Sequence, residues 1–301
     1  MSEIRFDGRV AIVTGAGRGL GRAYAITLAS KGARVVVNNR TPAAAREVAD
    51  QITAAGGEAV TDHHLVGTRD AAEAILQTAL DNFGKVDIIV NNAGNGHRDS
   101  FDAAAPELFV EQINVHALGS LWLCRAAWPL LKEARYGRIV NTTSGTILGF
   151  PQAAGYLTAK AAVIGLNRAL AYEGEEHGIK SNCVSPLAQT KGVSRPSGHT
   201  AFDRVWVDWK PDAVSPLVAL LAHETCPVNG EVFTAGGGRV GRLFFGETLG
   251  FVDPNLSAES LRDNFDRVED RTGYQVFRDA PDAVARRKAL VEEARKLSLN
   301  Y

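Results

Sequence analysis

The sequence predicts an α/β fold, a doubly wound parallel sheet of seven strands with a C-terminal helical extension. Short apolar, β-branched runs recur up to about residue 235, Ala- and Leu-rich stretches with helical periodicity separate them, and the first run leads straight into a glycine-rich turn. The runs are RVAIVT (9–14), ARVVVN (33–38), EAVT (58–61), VDIIVN (86–91), GRIVNTT (137–143), IKSNCV (179–184) and EVFTA (231–235). Each is too short for a helix, and most are apolar at consecutive positions, as in strands covered on both faces. Helices are predicted at 20–31, 42–55, 70–82, 106–134, 154–177 and 212–223. Thr41-Pro42 reads as a cap followed by proline in the first turn, and Lys31-Gly32 as a helix stop. Strand, helix, strand in repetition gives a parallel sheet with helices on both faces.

After Gly236-Gly237-Gly238 the alternation stops. Residues 241–256 read as loop, 257–267 as a helix and 281–297 as a charged helix with a modest apolar stripe. This tail is too small for an independent core and is expected to pack on the main domain, residues 1–240, or on a partner subunit. The charge balance, 33 Lys plus Arg against 34 Asp plus Glu, argues against binding nucleic acid or an anionic membrane. No apolar run approaches the roughly 18–20 residues that span a bilayer. The charged N-terminus is unlike a signal peptide, and Cys124, Cys183 and Cys226 show no paired spacing, as expected of reduced thiols. With the last residues LSLNY lacking a peroxisomal tripeptide, the expected location is the cytoplasm.

Directly after the first strand, TGAGRGLGRAYA (14–25) places Gly15, Gly19 and Gly21 around Arg18 and Leu20 at a helix start. Such glycines let the backbone approach a pyrophosphate, whose charge then sits at the helix N-terminus. The setting between strand and helix is the Rossmann-type dinucleotide site. At the end of the second strand an NAD site usually carries a carboxylate for the ribose hydroxyls. Here the position holds uncharged Asn39, followed by Arg40, with Arg18 in the turn. NADP(H) is therefore favoured, with NAD(H) possible.

After the fifth strand, TTSGTILGFPQAAGYLTAK contains Ser144, Tyr156 and Lys160. Tyr156 and Lys160 are four apart on a predicted helix and share a face. A tyrosine with a pKa near ~10 is a poor base at neutral pH, but a neighbouring ammonium favours phenolate. Tyr156 is thus a candidate to exchange a substrate hydroxyl proton while hydride passes between substrate and coenzyme, with Ser144 holding the substrate oxygen and Lys160 also bonding the coenzyme ribose.

With TGAGRGLG, NNAG (Asn91 to Gly94), Ser144, YLTAK and NCVSP (182–186), residues 7 to about 238 resemble the short-chain dehydrogenase/reductase family. RFDGRV, RAYA, CRAAWPLL, WKPDAVSPLVALLAHETC and GGGRVGRLFFGETLGF further resemble the family's (3R)-hydroxyacyl-CoA dehydrogenase branch, found in peroxisomal multifunctional enzymes. The resemblance implies an oxidoreductase interconverting a secondary alcohol and a ketone. Its implied substrate is a 3-hydroxyacyl-CoA or 3-oxoacyl-CoA; a hydroxysteroid or other bulky ketone is the alternative. A non-catalytic dinucleotide sensor would have no need of the tyrosine. It also implies that Asn92, Ala93 and Gly94 line the coenzyme cleft, that Pro186, Leu187 and Thr190 approach the nicotinamide, and that the protein is a homodimer or homotetramer.

Some positions depart from the family pattern. His116 stands where the family usually has Asn and is expected either to support Lys160 through a water or simply to pack. His64, next to Leu65, stands where an Asp often meets the adenine, and Leu187 replaces a usual Gly. No metal site is expected from His63-His64. Trp122 and Trp128 read as packing residues, Trp206 and Trp209 as lining or anchoring a substrate lid, and Arg286-Arg287-Lys288 as a solvated helix face or a coenzyme A phosphate contact.

Overall fold

The computed structural model describes residues 3–189 and 209–298. Its sheet follows the order β3-β2-β1-β4-β5-β6-β7-β8, with β1 Val10–Val13, β2 Arg34–Asn38, β3 Glu58–Asp62, β4 Ile88–Asn91, β5 Gly137–Thr142, β6 Ile179–Pro186, β7 Val232–Gly236 and β8 Arg239–Leu243. The pairs from β3 to β7 are parallel, as predicted; β8 is antiparallel to β7. The eighth strand corrects the sequence reading, which began a loop at 241. Gly237 and Gly238, at φ 58° and 83°, make the two-residue turn that reverses the chain.

Consecutive apolar residues along each strand supply both faces of the sheet. Ala11 and Val13 face helix α1 (Gly19–Ser30), α2 (Pro42–Ala54) and α7 (Ser215–Ala222), whose Tyr24, Leu28, Val48, Ile52 and Leu221 fill one core layer. Val10 and Ile12 face the other layer, built from α3 (Arg69–Phe83) and α5 (Gly119–Ala134) with Ile75, Leu123 and Leu131. Trp122 and Trp128 pack at the edge of this second layer, in keeping with the packing role read from the sequence. Local signals set the ends: the Thr68 hydroxyl accepts from the Ala71 N–H at 3.2 Å to start α3, and Gly84 at φ 75° closes it. The three cysteines are buried free thiols.

The helix predicted at 106–134 is instead α4 (Pro106–Ile113), one π-helical turn at Asn114–Leu118, and α5. α6 (Ala154–Gly174) follows β5 and carries Tyr156 and Lys160.

Contacts divide the chain into two compact units, Met1–Leu243 and Phe244–Tyr301. The second contains α8 (Ala258–Asp263), α9 (Phe265–Glu269) and α10 (Ala280–Ser298). The helix predicted at 257–267 is thus interrupted at Asn264, whose side chain donates to the Ser260 carbonyl at 2.9 Å. Glu247 and Gln275 form an antiparallel bridge, and the Phe244 and Tyr274 rings stack at 6.0 Å.

Candidate active site

The loops that matter lie at the C-terminal ends of β1, β4, β5 and β6. Because β1 pairs with β2 on one side and β4 on the other, the chain leaves a crevice where the order reverses. Gly15, at φ 64°, turns the chain after β1, and a Cβ there would sit 2.8 Å from Ala93 Cα. Gly19, at φ 55°, opens α1, and a Cβ on Gly21 would run into the Gly15 carbonyl. The turn is clamped from β4. Thr14 Oγ1 accepts from the Asn92 and Ala93 N–H groups at 3.0 Å each, and the Asn92 amide donates to the Thr14 carbonyl at 3.0 Å. Backbone is thereby held bare at the start of a 12-residue helix, the arrangement a pyrophosphate requires.

A cleft of about 410 Å³ runs over this turn. Its walls contain Gly15, Arg18, Gly19, Leu20 and Gly21; Asn39 and Arg40 after β2; His64 and Leu65 after β3; and Asn92, Ala93 and Gly94 after β4. Asn38, Val66, Gly67, Thr68, Asn95, Glu111, Asn114 and Val115 also line it and were not singled out from the sequence. The start of α3 at Thr68 was a usable signal, since helix starts flank such crevices; the π turn was not. The cradle fits the phosphates of a nicotinamide dinucleotide, which the backbone of Gly15, Gly19 and Gly21 would hold. Pro186 ends β6 and Leu187 follows it, neither among the cleft walls, and Leu187 N–H donates to the Ala235 carbonyl at 2.8 Å. Thr190 and Trp206 lie outside the described residues.

Beyond the β4 end stand the residues read as catalytic. Ser144 ends the segment after β5 and caps a short 3-10 turn, its Oγ 2.9 Å from Thr146 Oγ1. Lys160 is buried, and its Nζ donates to the Thr142 carbonyl at 2.6 Å while lying 5.7 Å from the centre of the Tyr156 ring. Thr143 Oγ1 donates to the Lys160 carbonyl at 2.9 Å, tying α6 to the end of β5. Burial pushes the Lys160 ammonium down to about 7. The Tyr156 phenol is pushed up by burial, and its hydrogen bond with Ser144 opposes that rise. The sequence reading has the ammonium favour phenolate and leaves burial out. Burial of both groups works against that pull, and burial sets the direction for the Tyr156 phenol.

His116 sits in the π turn, 3% exposed, its ring edge-on to Tyr156 at 5.2 Å between centroids. Gly94 makes room for it, since a Cβ there would strike the imidazole. Nε2 lies 2.8 Å from the Asn95 carbonyl, and Nδ1 is buried without a partner among the described residues. Burial and then the charge of Lys160 push its pKa down to about 3, so the ring is neutral at physiological pH. The ring is thus packed against Tyr156 and keeps one buried nitrogen unpartnered among the described residues.

A model of the short chain dehydrogenase family matches residues 9–196. The chain belongs to the short-chain dehydrogenase family. This dehydrogenase is 38% identical over 283 residues to peroxisomal multifunctional enzyme type 2 of Mus musculus, covering 89% of the chain and 38% of that protein. It is 36% identical over 280 residues to a short-chain type dehydrogenase/reductase of Mycobacterium tuberculosis, covering 89% of the chain and 96% of that protein. Among solved structures, a short chain dehydrogenase from Mycobacterium avium superposes with a TM-score of 0.77 at 34% identity, over 88% of this chain and 97% of that one. Full-length peroxisomal multifunctional enzyme type 2 from Drosophila melanogaster gives 0.79 at 30% identity, over 96% of this chain and 50% of that one. The chain thus spans a third to three fifths of the length of its first-listed multifunctional relatives, at 38%, 34% and 61%.

The remaining singled-out residues of the dehydrogenase have structural partners. Trp209 lies over Gly237, where a Cβ would come within 2.6 Å of the ring, and its carbonyl accepts from Gln189 N–H at 2.8 Å, which favours the anchoring role. Arg287 pairs with Glu247 at 2.9 Å and Arg286 with Glu293 at 3.5 Å, so two members of that basic cluster already serve their own unit. His63 Nδ1 lies 3.4 Å from the Asn39 carbonyl and His64 Nδ1 2.8 Å from Asp62. No helix among the described residues is long and apolar enough to cross a membrane.

Proposed function

We propose that this dehydrogenase interconverts a 3-hydroxyacyl-CoA and a 3-oxoacyl-CoA, preferring NADP(H) to NAD(H). The observation that carries the chemistry is the convergence of Ser144, Tyr156 and Lys160 beyond the reacting end of the cleft. The substrate class rests on the resemblance to the (3R)-hydroxyacyl-CoA dehydrogenase branch and on identity to multifunctional enzymes along almost the whole chain. In the oxidative direction the Tyr156 oxygen takes the substrate hydroxyl proton, and in reduction it returns one to the carbonyl oxygen. Ser144 Oγ holds that oxygen in place. Lys160, anchored on the Thr142 carbonyl, would supply positive charge beside the phenolate in its protonated form and would bond the coenzyme ribose. The coenzyme, when bound, would supply the hydride chemistry and, oxidised, a further positive charge.

NADP(H) preference is supported by uncharged Asn39 and exposed Arg40 at the β2 end of the cleft. A charge-assisted bond to a 2′-phosphate contributes about 1.5–3 kcal/mol, so Arg40→Ala should weaken NADPH binding ~10- to 100-fold and leave NADH nearly unchanged. Leu148, four residues past Ser144 and 76% exposed, is an apolar surface that a fused-ring ketone would cover as well as an acyl chain. It keeps a bulky free ketone as the second reading. A panel of 3-oxoacyl-CoA thioesters and steroid ketones, each with NADPH and NADH, decides between them. At least ~10-fold higher kcat/KM for thioesters is expected; equal or better turnover of free ketones would replace the first reading with the second. A homodimer or homotetramer is the assembly proposed, checked by sedimentation, and the cytoplasm is the location proposed, checked by imaging the tagged protein.

A further inference from the structure

The turn that presents Ser144 brings a second hydroxyl against it. Ser144 follows β5 in extended backbone and caps the 3-10 turn Gly145–Leu148. The Ile147 N–H donates to the Ser144 carbonyl at 3.3 Å and the Gly149 N–H to the Thr146 carbonyl at 2.9 Å, so hydrogen-bonded backbone sets the two side chains relative to each other. Thr146 N–H donates to Ser144 Oγ at 3.3 Å, and Thr146 Oγ1 lies 2.9 Å from the same atom. Ser144 is also the hydrogen-bond partner of the Tyr156 phenol. A hydroxyl has one proton and two lone pairs. At Ser144 Oγ the Thr146 N–H occupies one lone pair, which leaves the other and the proton for Thr146 Oγ1 and the phenol oxygen. A phenolate only accepts. Once Tyr156 is ionised, Ser144 must give it the proton, and the remaining lone pair falls to the Thr146 O–H. The chain from Thr146 through Ser144 to Tyr156 then runs in one direction, and a donor at residue 146 completes it.

We infer that Thr146 is a positioning residue whose hydroxyl, donating to Ser144 Oγ, turns the Ser144 proton toward the Tyr156 oxygen and the substrate oxygen. Hydrogen bonds in a chain polarise one another, so this bond strengthens as negative charge develops on Tyr156. Thr146 therefore favours the phenolate, acting only through Ser144. The titratable side chains facing Tyr156 are Lys160 on its own helix, with Nζ 5.7 Å from the ring centre, and His116 in the π turn, 5.2 Å between centroids. The Cys183 thiol on β6 interacts with Lys160 and is pushed up by burial. All three are common to every variant below, so a difference between variants reports residue 146. The inference rests on the proton exchange proposed above for Tyr156.

The test is the pH profile of 3-hydroxyacyl-CoA oxidation at saturating oxidised coenzyme, compared among the unaltered protein, Thr146→Val and Thr146→Ser. Valine keeps the branched shape and removes the hydroxyl. The ascending limb should move up by about half to one pH unit in Thr146→Val, which lowers the rate ~3- to 10-fold below the limb and leaves the rates converging at alkaline pH. The KM for coenzyme should stay within about twofold of that of the unaltered protein, since the residue touches none of it. Thr146→Ser restores a hydroxyl and should return the limb to its place. Thr146→Ala, with circular dichroism as the folding control, must show the same shift as valine. A rate lowered by one factor at every pH, an unmoved limb, or a serine variant no better than valine would overturn this inference alone. Absence of oxidation by the unaltered protein, with thioesters and free secondary alcohols alike, would overturn it together with the oxidoreductase reading.

Discussion

Lys160 is a buried ammonium whose pKa falls from 10.5 to about 7, and stability must record that. Between about pH 7 and 10.5 the unfolded chain holds a proton on this lysine that the folded chain has released. Stability from this group therefore rises with pH across that window, and below about 7 the full cost of burying the charge is present. Lys160→Met should raise the melting temperature most near pH 6, with the gain shrinking toward pH 10. A gain independent of pH would show that the lysine is not desolvated as its burial implies. His116 behaves differently: with its pKa near 3 the ring is neutral from pH 5 to 8. His116→Asn should thus leave the shape of the rate–pH profile unchanged across that range, whatever it does to the rate; a lost or shifted inflection would contradict this.

The glycine turn joins β1 to α1 through conformations that a side chain resists. At Gly15 the positive φ and the 2.8 Å approach to Ala93 act together, so Gly15→Ala should lower stability by about 1–3 kcal/mol and weaken coenzyme binding at least ~10-fold. Denaturant midpoints and coenzyme titration check the two effects separately. β1, β2 and β4 were legible because they are buried almost throughout and read as apolar runs, and the strand–helix alternation located the other four. β8 was not, because its residues are exposed or half-buried and Arg239, Gly241 and Arg242 dilute its pattern. Its one signal was the glycine pair before it. The π turn was hidden for another reason, since NVHAL carries no proline or glycine to mark where the helix widens. The site divides in the same way. Gly15, Asn92, Tyr156 and Lys160 sit in short motifs that a sequence displays, whereas Asn95, Glu111 and Val115 reach the cleft only through the folded path of the chain.

At the scale of the molecule the two compact units differ in how they are held. The first has two apolar layers on a central sheet. In the second, among the described residues, Ala283 is the one buried hydrophobic side chain, and the rest is joined by the Glu247–Gln275 bridge, the Phe244–Tyr274 stack and ion pairs. So small an apolar interior cannot offset the conformational entropy of ordering a segment of this length. The segment 1–243 should unfold cooperatively on its own and still bind coenzyme, while isolated 244–301 should show no cooperative transition by calorimetry. A melting transition in the isolated segment would establish a second true domain.

The proton exchange proposed at the Tyr156 oxygen belongs to a ring whose centre lies 5.7 Å from Lys160 Nζ. Single-turnover oxidation of NADPH by a 3-oxoacyl-CoA in Tyr156→Phe, with coenzyme affinity measured on the same sample, tests this most directly. Unchanged coenzyme binding with a rate reduced by ~10²- to 10⁴-fold is the predicted result. A rate within a few-fold of the unaltered protein would contradict it.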